Sequence, residues 1–162
     1  MNKKIWTAIA AGTFLAATAL PALAAGHEGT VSATVTPQLV ALSILDGEVN
    51  YGFLGANASQ NTVTLVDTQV VTNDGNVVED FNVRGQDSTN WTLAATADSE
   101  QYKHEFTTTG TFGTALTTSN QSLDTDVAVN DTTNLDLKIT TPTSTAATAT
   151  QSVNVTVVAT AN

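Results

Sequence analysis

Cysteine is absent from all 162 residues. That excludes a disulfide framework, so a folded domain here is held by burial, strand pairing or a partner. It also excludes a lipid-anchored cysteine after the N-terminal segment. Basic residues are nearly as scarce. Beyond residue 25 only Arg84, Lys103 and Lys138 remain against all 15 acidic residues, a formal charge of −12. Nucleic acid and anionic membrane surfaces need clustered Lys and Arg and are poor partners for such a chain. Divalent cations, basic partners or simple solubility fit this charge. No apolar stretch after residue 25 is long enough to hold the chain in a bilayer.

The chemistry of common active sites is also missing. There are two histidines, His27 and His104, each followed by Glu. A zinc-protease helix needs a second His one turn on, but residue 31 is Val and residue 108 is Thr. No Gly-x-Ser-x-Gly elbow and no phosphate-binding glycine loop occur, and no convergent His, Cys or basic group accompanies the carboxylates. The reading is therefore not an enzyme.

What is present begins with residues 1–25. Met1-Asn2-Lys3-Lys4 opens the chain, an apolar run spans Ile5 to Leu20, and Pro21-Ala22-Leu23-Ala24-Ala25 comes next. A basic start, a short apolar stretch and small residues at a cleavage site are the parts of a secretory signal peptide. Cleavage after Ala24 or Ala25 leaves about 137 residues, enough for one domain with its own core. The expected location is secreted, extracellular or at the cell surface.

The remainder alternates with period two. Phe81 and Val83, Trp91 and Leu93, Leu135, Leu137 and Ile139, and Val153, Val155 and Val157 each alternate mainly with polar neighbours. One face of each run reads as core and the other as solvent. Turn residues separate the runs, among them Asp46-Gly47, Asn73-Asp74-Gly75-Asn76 and Asn130-Asp131. About nine strands are expected, at 30–36, 38–45, 48–54, 62–72, 77–84, 91–96, 102–108, 134–140 and 151–160, with a short one at 124–129. The fold class is all-β, an antiparallel Ig-like or jelly-roll sandwich over 37–162. Phe53, Leu65, Phe81, Trp91, Leu93, Leu135, Leu137, Ile139, Val153 and Val155 form the expected core.

Two features carry functional expectations. Residues 26–36 form an N-terminal strand in which Val31, Ala33 and Val35 alternate with Ser32 and Thr34, and Pro37 separates it from Gln38–Leu45. It is either the first strand of the same sandwich or a strand donated to the sheet of the next subunit. The second feature is acidic. Asp124 and Asp126 share a face if the strand is regular, and Asp131 is nearby. Oxygen ligands of this type suit Ca²⁺, though the segment lacks the spacing of an EF-hand loop, and a solvated acidic loop is the alternative. Asp46, Glu48, Glu79 and Asp80 are equally available at a subunit contact. Asn-x-Ser/Thr acceptors stand at Asn57, Asn90, Asn120, Asn130 and Asn154.

Val49-Asn50-Tyr51-Gly52, Asn73-Asp74-Gly75-Asn76-Val77, Asp80-Phe81-Asn82-Val83, Asn90-Trp91-Thr92-Leu93 and Gln101–Phe106 succeed one another in a recognisable order. This order resembles secreted prokaryotic β-sandwich fibre subunits: the TasA/camelysin-like matrix fibres and the archaeal cannula and bundling-pilus subunits. The resemblance implies a subunit of an extracellular filament or tube, a homopolymer joined by donor-strand complementation, with Ca²⁺ at contacts in the cannula type. Trp91-Thr92-Leu93 is also similar to one motif of WxL cell-wall-binding domains. The competing expectation is a monomeric surface module that recognises a glycan or cell-wall component. Such a module would place aromatics on loops, where this reading finds only Phe112.

Overall fold

A computed structural model describes residues 29–162. The expected signal peptide, 1–25, lies outside the described residues. The chain divides into a unit ending at Val35 and a compact unit from Thr36 to Asn162. In the first, residues 29–35 carry no strand, and Val31, Ala33 and Val35 are exposed.

The second unit is a β-sandwich. Its strands are β1 (Leu42–Leu45), β2 (Ser59–Asn61), β3 (Gln69–Asn73), β4 (Glu79–Gly85), β5 (Thr92–Leu93), β6 (Gln101–Thr107), β7 (Thr114–Ala115), β8 (Gln121–Val127), β9 (Thr132–Thr140) and β10 (Val155–Ala161). A single helical turn, α1 (Thr62–Leu65), lies between β2 and β3. One sheet runs β1-β3-β9-β6-β5, with β2 also on β9 and β7 on β6, and the other runs β10-β4-β8. Pairing is antiparallel except between β5 and β6, which are parallel over two residues.

The period-two pattern explains which faces meet. In β4, Phe81 and Val83 are buried while Asp80 and Asn82 are half-covered. In β9, Leu135, Leu137 and Ile139 point the same way. Val71, Phe106, Leu135 and Leu137 from the wide sheet pack on Phe81, Val83, Leu123 and Val127 from the narrow one, with Leu116 beside them. Glu105, buried on the opposite face of β6, is held by Lys103 at 2.9 Å and Lys138 at 3.3 Å. Burial would raise the Glu105 pKa, but hydrogen bonds and charge from Lys103, then Lys138, outweigh it and hold it below its ordinary value.

Several expected elements differ. Residues 48–54 form no strand, and Phe53, expected in the core, is fully exposed. Leu65, Trp91, Leu93, Val153 and Val155 are half-buried rather than central. The expected strand 62–72 is broken at its start by α1. Asn61 caps this turn by accepting from Thr64 N at 2.8 Å. Val66 ends it in the left-handed conformation, φ 59°. The physical reason is a side chain. Thr62 Oγ1 accepts from Leu137 N at 3.0 Å and donates to Asp136 Oδ1 at 3.0 Å. One hydroxyl thereby stands in for a ladder contact to β9 in the stretch between the β2 and β3 pairings, while Thr68 Oγ1 adds a second donor to Asp136 at 2.6 Å.

Candidate functional site

The narrow sheet ends on β10, whose one strand partner among the described residues is β4. Its other edge carries backbone donors and acceptors with no strand beside them. Val155 and Val157 of this strand line an open groove of about 1260 Å³. Ile44, Leu135, Leu137 and Ile139 of the wide sheet line it too, so it opens onto the sandwich core. Two loops border it, one before β2 and one before β10.

The first loop is anchored by Gln69, a buried side chain on the inward face of β3. Its Oε1 accepts from Gly47 N at 2.8 Å, and its Nε2 donates to Asp67 Oδ1 at 2.9 Å and to Glu48 O at 3.3 Å. At the far end, Thr141 Oγ1 donates to Gly55 O at 2.6 Å. Between these anchors Gly52 turns the chain at φ 72°, a region open to glycine without a Cβ clash. Phe53 stands beyond it in solvent at the groove.

A row of rings lies at one end. Tyr51 meets His104 edge-on at 5.9 Å between centroids, His104 lies 6.2 Å from Tyr102, and Tyr102 lies 6.2 Å from Trp91. Tyr51 Oη and His104 Nε2 are 2.9 Å apart, while His104 Nδ1 is buried with no partner. Burial lowers the His104 pKa to about 4, so the ring is neutral at physiological pH. Burial raises the Tyr51 pKa first, with the charge of Asp67 and then Tyr102 adding to it. Burial and then Asp87 do the same for Tyr102, whose hydroxyl donates to Gln86 O at 2.5 Å. Trp91 Nε1 donates to Thr145 Oγ1 at 2.9 Å, which ties the second loop to this row.

The acidic residues singled out from the sequence each have their own partners. A register shift lies between the Phe81–Asp124 and Glu79–Val127 pairs, and Asp126 is left-handed at φ 57°, so the regular alternation assumed for Asp124 and Asp126 is broken. Asp124 Oδ2 accepts from Thr133 Oγ1 at 2.6 Å, Asp126 accepts from Asn162 Nδ2, and Asp131 contributes its backbone carbonyl to Asn73 N at 3.0 Å. Among the described residues no group of three or more His, Asp or Glu side chains is placed to hold a metal ion. Val31, Ala33 and Val35, expected from the sequence to belong to a donor strand, are exposed in the other unit.

Sequence reasoning missed the groove, the Gln69 anchor and the loop position of the aromatics. Phe112 is the one aromatic expected on a loop, but Tyr51, Phe53 and Trp91 also lie outside strands and line the groove. Gly52 between Tyr51 and Phe53 is the available signal for a turn there. Among the described residues no helix is long and apolar enough to cross a membrane. No family profile, curated protein or solved structure matches this chain.

Proposed function

We propose that the chain is an exported structural subunit that joins copies of itself into an extracellular filament or tube. Residues ending at Thr36 of one copy add a strand to the free edge of β10 in the next. The observation that carries this reading is that free edge beside a groove opening onto the core.

Three further features support it. The narrow sheet has a path of three strands against five in the wide one, so there is room on its β10 side for another. Gly29 to Leu45 contains no charged residue, which suits burial, and Val31, Ala33 and Val35 recur at the strand period. Eight extended residues span roughly 26 Å, close to the length of a seven-residue strand such as β10 at about 3.3 Å per residue. A head-to-tail contact of this kind does not close on itself and propagates as a fibre.

Negative-stain microscopy of the secreted protein, intact and with residues 26–36 deleted, tests the reading. Fibres or tubes from the intact chain and dispersed particles from the deletion are expected. Fibres from the deleted chain would refute strand donation, and dispersed particles from both would refute assembly.

A second reading has its own observation. Tyr51, Phe53 and Trp91 place aromatic surface along the same groove, and Phe53 is fully exposed. Rings so placed suit a glycan or cell-wall component. Binding of an oligosaccharide by dispersed protein, lost in Phe53→Ser, would favour this module over the fibre subunit.

A further inference from the structure

Residues 37–40 are all exposed, Leu39 by 54 %, so burial does not hold this stretch in place. Hydrogen bonds to the turn between β3 and β4 do. Asn76 supplies three of them. Its Nδ2 donates to Pro37 O at 2.8 Å, its Oδ1 accepts from Leu39 N at 2.7 Å, and its backbone N donates to Leu39 O at 3.0 Å. Asp74 N donates to Ala41 O, and Glu79 Oε1 accepts from Ala41 N, both at 2.9 Å. Residues 37, 39 and 41, the alternate positions of an extended segment, are thus fastened to one turn.

Glycine at 75 lets the segment lie close on the turn, since a Cβ there would fall 2.5 Å from Leu39 O. Among the described residues, both side-chain hydrogen bonds of Asn76 go to this segment. Asn76 lies outside the groove lining. The strand proposed for donation ends at Thr36, one residue before the first of these bonds. No slack therefore separates the fastened segment from the donated strand. A strand paired with β10 of the next copy is tied, through Pro37, to the turn of the copy that donates it.

We propose that Asn76 is a positioning residue for assembly. It fixes the root of the donated strand, so that the acceptor's β10 edge abuts the donor's turn at 73–76 and consecutive copies keep one spacing. This inference rests on the strand-donation reading and adds the part of the donor that meets the acceptor. A fastened root reduces the freedom lost when the strand pairs, and a short, rigid connection gives one spacing where a loose one gives many. Releasing residues 37–41 adds up to roughly 17 Å of play, at about 3.3 Å for each residue.

Negative-stain microscopy of the secreted full chain, with elastase digestion beside it, tests this. The parent chain is expected to give fibres with a regular axial repeat and to resist cleavage at Val40 and Ala41. Asn76→Ala is expected to fold, to be cut there about tenfold faster or more, and to give dispersed particles or fibres without the repeat. Asn134→Ala, which removes an exposed asparagine from β9, keeps the parent's behaviour. Inserting Gly-Ser-Gly-Ser between Thr36 and Pro37 leaves the bonds of Asn76 in place and lengthens the repeat by up to about 13 Å. That variant carries the test if Asn76→Ala does not fold. The parent repeat in Asn76→Ala, or an unchanged repeat after the insertion, overturns the inference and leaves strand donation standing. Loss of fibres in Asn76→Ala without faster cleavage overturns it too, since Asn76 would then act elsewhere. Dispersed particles from the parent overturn strand donation and this inference with it.

Discussion

Thr62 offers a sharp test of how the wide sheet is closed, because its hydroxyl and its methyl can be removed separately. The residue is fully buried, accepts from Leu137 N at 3.0 Å and donates to Asp136 Oδ1 at 3.0 Å. Thr62→Val keeps the volume and deletes the hydroxyl. The Leu137 N–H then lies buried without an acceptor, at about 1–3 kcal/mol, and Asp136 loses one charge-assisted bond worth about 1.5–3 kcal/mol. Allowing for partial relaxation, a loss of about 3–5 kcal/mol is expected. Thr62→Ser keeps both hydrogen bonds and deletes one methyl, a loss of about 1 kcal/mol. Urea unfolding monitored by fluorescence separates the two. With m near 2 kcal/mol/M, the midpoint falls by roughly 1.5–2.5 M for Val and by about 0.5 M for Ser. A Val variant as stable as the Ser variant would refute the reasoning, since the hydroxyl would then carry no load.

The His104 pKa gives a pH prediction whose sign is set by burial. Its folded value of about 4 lies below the ordinary 6.5, so between those values the unfolded chain binds a proton that the folded chain refuses. Stability is full above about pH 6.5 and falls by up to about 3 kcal/mol as pH drops towards 4. An imidazole NMR titration of the folded protein placing His104 near 6.5 would contradict this. Glu105 adds to the loss at lower pH, because its depressed pKa makes protonation favour the unfolded chain. Phe53→Ser leaves monomer stability within about 0.5 kcal/mol, whereas Phe81→Ala costs about 3–5 kcal/mol, as equilibrium unfolding of each will report. Val66 is an exposed, β-branched residue at φ 59°. Val66→Gly relieves that strain and raises stability by about 1 kcal/mol, and an unchanged or lower unfolding midpoint would count against the strain.

The groove changes how the chain's aromatic residues are to be understood. Tyr51 and Phe53 sit two apart, as alternating strand residues would, yet one packs on His104 and the other stands in solvent. The turn at Gly52 separates them, and the Gln69 and Thr141 anchors hold the loop that carries them. The two proposed readings, strand donation and glycan binding, both call on this groove. The state of assembly in solution therefore distinguishes the two readings better than inspection of any one ring.

The sequence by itself determined the all-β class, most long strands and the inward rows of β4 and β9. Those come from a local rule, that side chains alternate across a strand, so Phe81, Val83, Leu135, Leu137 and Ile139 are legible without a partner in view. The turn at Asn73–Asn76 is legible through residues that favour turns, but the hairpin such residues suggest does not form, because β3 and β4 on its two sides pair in different sheets. Only the tertiary structure decided that Thr62 leaves its strand, because Asp136 and the Leu137 N–H lie about 75 positions away. It also decided which edge stays open, since strand order depends on long-range pairing that alternation does not encode. The bulge that breaks the alternation of Asp124 and Asp126 belongs to the same class, as does the close packing of Leu39, Asn73 and Glu79 against Gly75. Each depends on where distant segments come to rest, and a polar atom's partner is set by that geometry rather than by its neighbours in the chain.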